Sequence, residues 1–181
     1  MSCSRSVSFG LLAVAAAYAV ATVFSAEVAP LRDWQFIVIH HSATRAGSAD
    51  AFDAAHRARG MINGLAYHFV IDNGTDGRPD GFIETGARWV KQMYGGHCRQ
   101  AYINEHGIGI CLVGNFSRGE PTAKQMDSLV LLVRGLQEQF HIADDHVLGH
   151  GEVLRLGYRH EGDHQCRSDF TVGRSHQEPP C

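Results

Sequence analysis

Apolar and polar positions alternate along the chain in a pattern that predicts strands and helices in turn. Trp34-Gln35-Phe36-Ile37-Val38-Ile39-His40 is a β-branched apolar run of the kind that forms a buried strand. Ala66-Tyr67-His68-Phe69-Val70-Ile71 predicts a second strand, Asp72 to Gly77 a turn, and Gly81 to Thr85 a third. Gly107 to Phe116 reads as a central strand, and His146 to His150 as a short last one. Between these lie two helices. Ser48 is placed to cap the first, which runs to about Arg59 with Ala51, Phe52, Ala55 and Met61 as its expected inner residues and Gly60 as its stop. Thr122 followed three residues later by Gln125 is a capping box. Behind it Met126, Leu129, Val130, Val133, Leu136 and Phe140 recur at helical spacing as one apolar stripe, which Gly135 weakens by about 1 kcal/mol. The stretch Gly95-Gly96-His97-Cys98 reads as loop, and the last thirty residues are polar and irregular.

Strands alternating with helices and one hairpin predict an α/β domain on a mixed sheet, flanked by helices and spanning residues 31–181. The first strand, apolar on both faces, belongs inside the sheet beside the Gly109–Phe116 strand. The long helix should cover one face.

Composition narrows the function. Of 181 residues 44% are apolar, enough for a sizeable core, which excludes disordered and low-complexity classes. Lys plus Arg is 16 and Asp plus Glu 19, a formal charge of −3, so the basic excess of a nucleic-acid binder is absent. There are 12 histidines against 5 prolines, and a His fraction about threefold above the ordinary level points to metal or proton chemistry. Residues 1–25 carry no acid and one base, Arg5, and are nearly all Ala, Val, Leu and Phe from Phe9 to Phe24. That stretch is short for a membrane span, which needs roughly 20 residues, and it reads as a secretory signal peptide cleaved after Ser25. An uncleaved anchor is the other reading. Either way the remainder is exported, to the cell envelope or beyond, with no stable membrane insertion once the signal is removed. Export permits disulfides among Cys98, Cys111, Cys166 and Cys181; a zinc-held thiolate is the competing use.

A catalytic zinc site takes three ligands from His, Cys and carboxylates. His40 and His150 stand at strand ends, and Cys166 follows in an irregular segment. Four ordered blocks strengthen this: Val38-Ile39-His40-His41-Ser42-Ala43-Thr44, Ala66 to Ile71, Gly107 to Phe116, and Gly149-His150-Gly151-Glu152-Val153. Together they resemble the zinc-dependent N-acetylmuramoyl-L-alanine amidase family, which includes phage lysozyme-type amidases and animal peptidoglycan recognition proteins. The resemblance runs from about Trp34 to about Phe170. It implies that family's fold, a Zn²⁺ cofactor, a peptidoglycan or muramyl-peptide substrate and a role in cell-wall degradation.

Carried over residue by residue, the resemblance makes His40, His150 and Cys166 the zinc ligands. Arg167 stands where the family usually has proline, and the spacing from His150 is lengthened through 154–162, so Asp163 and Asp169 are alternative third ligands and a Cys166–Cys181 disulfide the competing arrangement. Tyr67 matches a tyrosine beside the metal, able to donate to an oxyanion. His164 takes the place of a frequent lysine and could act as a proton donor. His97 and Asn104 fall at the rim of the cleft with His41 as a neighbour, all three expected at the substrate. Cys111 replaces the glutamate that another branch uses as base, and is expected to be a buried thiol. His56, His68, His106, His141, His146, His160 and His176 are left to structural or surface roles. A peptidoglycan-binding module without catalysis is the rival reading, since the same fold serves recognition where the metal site is lost.

Overall fold

The apolar runs become five strands: β1 (Phe36–His41), β2 (Phe69–Asn73), β3 (Asp80–Thr85), β4 (Gly107–Leu112) and β5 (Val147–Gly149). The computed structural model describes residues 29–156. The strands form one sheet in the order β3-β2-β4-β1-β5. β4 is parallel to both β1 and β2, β1 is parallel to β5, and β3 at the edge runs antiparallel to β2. The sheet is therefore mixed, and β1 lies within it beside β4, as their two-sided apolar patterns require.

Two boundaries differ from the sequence pattern. β2 begins at Phe69 rather than Ala66, although the His68 N–H already donates to the Gly109 carbonyl at 2.8 Å. β4 ends at Leu112 rather than Phe116 because partners outside the ladder take over: Ser42 Oγ accepts the Gly114 N–H at 3.0 Å, and His41 Nδ1 accepts the Phe116 N–H at 2.9 Å.

The helices are α1 (Ala49–Ala58), α2 (Ala87–Val90), α3 (Ala101–His106) and α4 (Ala123–Phe140). The short α2 and α3 carry too few residues to show a period and were not visible in the pattern. Ser48 caps α1 as expected, its side chain accepting the Ala51 N–H at 3.3 Å, and Gly60 at φ +90° turns the chain away. The inner face of α1 matches the expected one at Phe52 but not at the alanines. Ala51 and Ala55 are exposed, while Ala49, Phe52 and His56 face the sheet. Polar bonds set this face: His56 Nδ1 accepts the Ala66 N–H at 3.1 Å and Asp53 accepts the Leu65 N–H at 2.7 Å.

The capping box of α4 forms with both its bonds. Its apolar stripe holds at Leu129 and Leu136, which are buried, and at Val133 and Phe140, which pack beside them with Leu132, whereas Met126 and Val130 are 36% and 44% exposed. At the start of the helix Gln125 faces the sheet instead of Met126, its buried amide donating to the carbonyls of Ile71 at 3.0 Å and Val113 at 2.9 Å. The cap residue thus also pins the helix to the ends of β2 and β4.

α4 covers one face of the sheet over Ile37, Ile39, Ile71, Ile108, Ile110 and Leu112. Period-two alternation sends Phe36, Val38, Val70 and Cys111 to the other face, where Ile103 of α3, Val153, Phe52 of α1 and the 95–98 loop cover them. That second face carries the site.

Candidate metal centre

Strand register brings the first two histidines together. Ile39 pairs with Gly149, so the next residues along, His40 and His150, are neighbours on one face. Their ring centroids are 4.7 Å apart. Both stand at the carboxyl ends of parallel strands, where open α/β sheets gather their ligands.

A loop delivers the other members. Asn104 on α3 accepts the N–H groups of His97 at 2.8 Å and Cys98 at 2.9 Å and donates to the Cys98 carbonyl at 2.6 Å. Arg88 of α2 donates to the carbonyls of Leu65 and Tyr94, tying the segments that lead to Tyr67 and His97. The His97 ring lies against Gly109 in β4, where a β-carbon would stand 2.7 Å from its Cγ, and Gly95 closes on it as well. Its Nε2 faces the Gly107 carbonyl at 3.2 Å and its Nδ1 faces His40 Nε2 at 3.1 Å. Cys98 Sγ lies 3.4 Å from His97 Nδ1 and 3.9 Å from His150 Nδ1. His40, His97 and Cys98 each offer a donor atom within 4.8 Å of the others, a grouping that could hold a metal ion.

Burial keeps these imidazoles neutral. His40 is 5% exposed, and desolvation, then its neighbours His97, His150 and His41, holds it well below the usual histidine value. His97 is pushed down to about 3 by burial, with His68 adding to the effect. His150 is lowered by burial and then by His41. Neutral rings keep a lone pair for a metal.

Tyr67 lies half-buried beside this group, its ring 5.2 Å from that of His40. Burial, then the adjacent Cys111 thiol, raises its phenol well above 10, so it remains a donor. Cys111 is fully buried, and burial pushes its thiol up to about 12, which makes it inert.

The other expected site residues take different positions. His97, expected at the cleft rim, is 8% exposed and packed against His40. Asn104 holds the loop that carries His97 and Cys98. His41 accepts from Phe116 and stacks on its ring, 5.6 Å between centroids. Cys166, His164, Asp163, Asp169, Cys181 and the 1–25 segment lie outside the described residues. Sequence reasoning missed Cys98 as a neighbour of His97 and His150. A signal was present: two glycines before His97 and a third in the middle of a buried strand mark a close approach.

A mixed α/β sheet with two histidines at parallel strand ends, and a histidine and a cysteine brought to them by a loop, defines a candidate metal centre. A family model described as N-acetylmuramoyl-L-alanine amidase matches residues 30–169, and the chain belongs to that family. It is 31% identical to the N-acetylmuramoyl-L-alanine amidase LysC from Clostridium intestinale, with 70% of this chain and 78% of that one covered and a TM-score of 0.57. It is 29% identical over 128 residues to a peptidoglycan recognition protein of Trichoplusia ni, covering 68% of this chain and 67% of that protein. Drosophila peptidoglycan recognition protein SA shares the fold at 23% identity and a TM-score of 0.55, with 68% and 71% of the two chains covered. Among the described residues no helix is long and apolar enough to cross a membrane.

Proposed function

We propose that the protein is an exported zinc amidase that hydrolyses the bond between the lactyl group of N-acetylmuramic acid and L-alanine in peptidoglycan. The observation that carries this reading is the convergence of buried His40 and His97 with half-buried Cys98 and His150, the three imidazoles being held neutral. Nitrogen and sulfur donors suit zinc. His40, His150 and Cys166 are the proposed ligands, in the domain 31–181, with residues 1–25 as the export signal.

Bound zinc supplies an ionisable water near neutral pH and polarises the scissile carbonyl. The chain's own residues do the rest. Tyr67, kept protonated by burial, donates to the carbonyl oxygen as negative charge grows on it. His164 hands a proton to the departing amine of L-alanine. Buried His97 packs His40 in place through the bond between their rings.

The relative from Trichoplusia ni keeps a second reading in view, recognition of peptidoglycan without cleavage. Zinc content and product formation on the purified protein separate the two. About one zinc per chain, with release of stem peptide bearing a free L-alanine amine, supports the amidase. A folded protein that binds muramyl-peptide, holds no zinc and releases nothing refutes it.

A further inference from the structure

We propose that Asp72 is held as a carboxylic acid that donates to Glu84, and that their shared proton latches the start of α1 to the hairpin of β2 and β3. The inference is independent of any metal. Asp72 stands in β2 two residues beyond Val70, on the face that carries the candidate metal centre, and only 1% of it is exposed. The β2–β3 ladder shifts register between Ile71 and Asn73, so Asp72 lies at an irregularity of the kind that re-aims a side chain.

Glu84 reaches the same space from β3. It is buried, and both its oxygens are taken: Oε1 accepts the Ala49 N–H at 2.6 Å, and Oε2 faces Arg78 Nε at 2.9 Å. Asp72 is supplied differently. Neither of its oxygens has a hydrogen-bond donor among the described residues. The group within hydrogen-bonding reach is the Glu84 carboxyl, and two carboxylates are both acceptors. The contact becomes a hydrogen bond when one proton lies between them. Because the Glu84 oxygens already accept from Ala49 and Arg78, Asp72 is the partner that carries it. A buried carboxylate with no donor would cost far more.

The surrounding charges agree. Burial, then the Glu84 charge, raises the Asp72 carboxyl to about 7, and Asp76 in the turn adds to the effect. Arg78 opposes it from the same turn, but its guanidinium is bound to Glu84 and, at 3.4 Å, to Asp50 of α1. At this level β4 presents Val113, which is uncharged.

The proton holds the first turn of α1. The Ala49 N–H is one of the helix-start donors with no partner inside the helix, and Glu84 supplies its acceptor. Ala49 and Phe52 in turn pack, with Tyr67, against Leu65, Val70, Cys111 and Val113. Ionising Asp72 sets two carboxylates against each other beneath this turn. The closed latch keeps its proton up to about 7, whereas an opened Asp72 loses it at about 3.9. The latch is therefore tightest in acid, weakens as pH rises across that window, and loses no more above about 7. This runs opposite to the buried imidazoles of His40 and His97, which acid protonates and destabilises.

The test is a pH titration of the purified full chain by NMR. With labelled aspartate, the Asp72 carboxyl carbon of the wild type should titrate near 7. Amide exchange at Ala49, corrected for its intrinsic pH dependence, should show protection falling by up to about tenfold per pH unit from about pH 4 to 7, then levelling. Asp72→Asn puts an N–H where the O–H was, so it should keep Ala49 protected and remove that slope. An Asp72 carbon that titrates near 3.9 overturns the proposal, whatever the variant does. So does an Ala49 slope that is equal in wild type and Asp72→Asn. If Asp72→Asn fails to fold, the wild type decides alone: the carbon midpoint and the levelling of Ala49 protection must coincide, and a mismatch overturns the latch.

Discussion

Gly109→Ala is the sharpest test of how the candidate metal centre is packed. Gly109 sits in β4 with an ordinary extended backbone, so alanine costs nothing in backbone geometry there. The added carbon would stand 2.7 Å from Cγ and 2.8 Å from Nε2 of His97, against an optimal carbon contact of about 3.5–4.0 Å. The ring has nowhere to retreat. Its Nε2–H is committed to Gly107, its backbone is fixed by Asn104, and Gly95 lies close against it. Forcing one carbon into such a site costs about 1–3 kcal/mol. At roughly 4 °C per kcal/mol for a domain of this size, metal-free Tm should fall by about 4–12 °C. His97→Ala opens the same space, so Gly109→Ala added to that background should be nearly neutral. Urea denaturation of the four proteins gives the coupling energy, expected at about 1–3 kcal/mol. The packing argument is refuted if Gly109→Ala costs the same in both backgrounds, or nothing in wild type.

Tyr67→Phe should keep its zinc and lose turnover by up to about 10²–10³, whereas His150→Ala should lose both; full activity of Tyr67→Phe on muramyl-peptide would end the oxyanion role. His164→Lys should stay active and carry the alkaline limb of the pH profile upward, toward the lysine reference of about 10.4, and an unmoved limb rules out His164 as the donor. Buried His68 accepts the Gly109 N–H, donates to the Met93 carbonyl, and is pushed by burial down to about 4. The unfolded chain takes up this proton at about 6.5 and the native one only near 4, so metal-free stability is held above pH 6.5 and falls below it by up to about 1.4 kcal/mol per pH unit. Denaturation across that range should show a shallower slope in His68→Gln, and equal slopes would contradict the assignment. Gln125→Leu strands the buried Val113 carbonyl, at about 1–3 kcal/mol, while the Ile71 carbonyl keeps the Val113 N–H, and calorimetry should find that loss on top of the roughly 1 kcal/mol of a lost cap.

The sheet and its central strands were legible because their information is local. β-branched runs over Phe36–Ile39 and Ile108–Leu112 have one good use, a strand buried on both faces, and Thr122 with Gln125 announces a helix start within four residues. Once β1 and β5 are recognised, the meeting of His40 with His150 follows from register. The polar residues that α1 and α4 turn toward the sheet, His56 and Gln125, were not legible. They are fixed by single long-range bonds, His56 to the Ala66 N–H and Gln125 to the Ile71 and Val113 carbonyls. Cys98 was hidden for a related reason. A loop has no period, and its place is decided by Asn104 and by the missing side chain of Gly109, which lets an imidazole lie against the sheet. Local sequence thus determined which segments are strands and helices and which histidines end them. Only the tertiary structure decided which side chains share the space between those ends, because that depends on contacts between residues far apart in the chain.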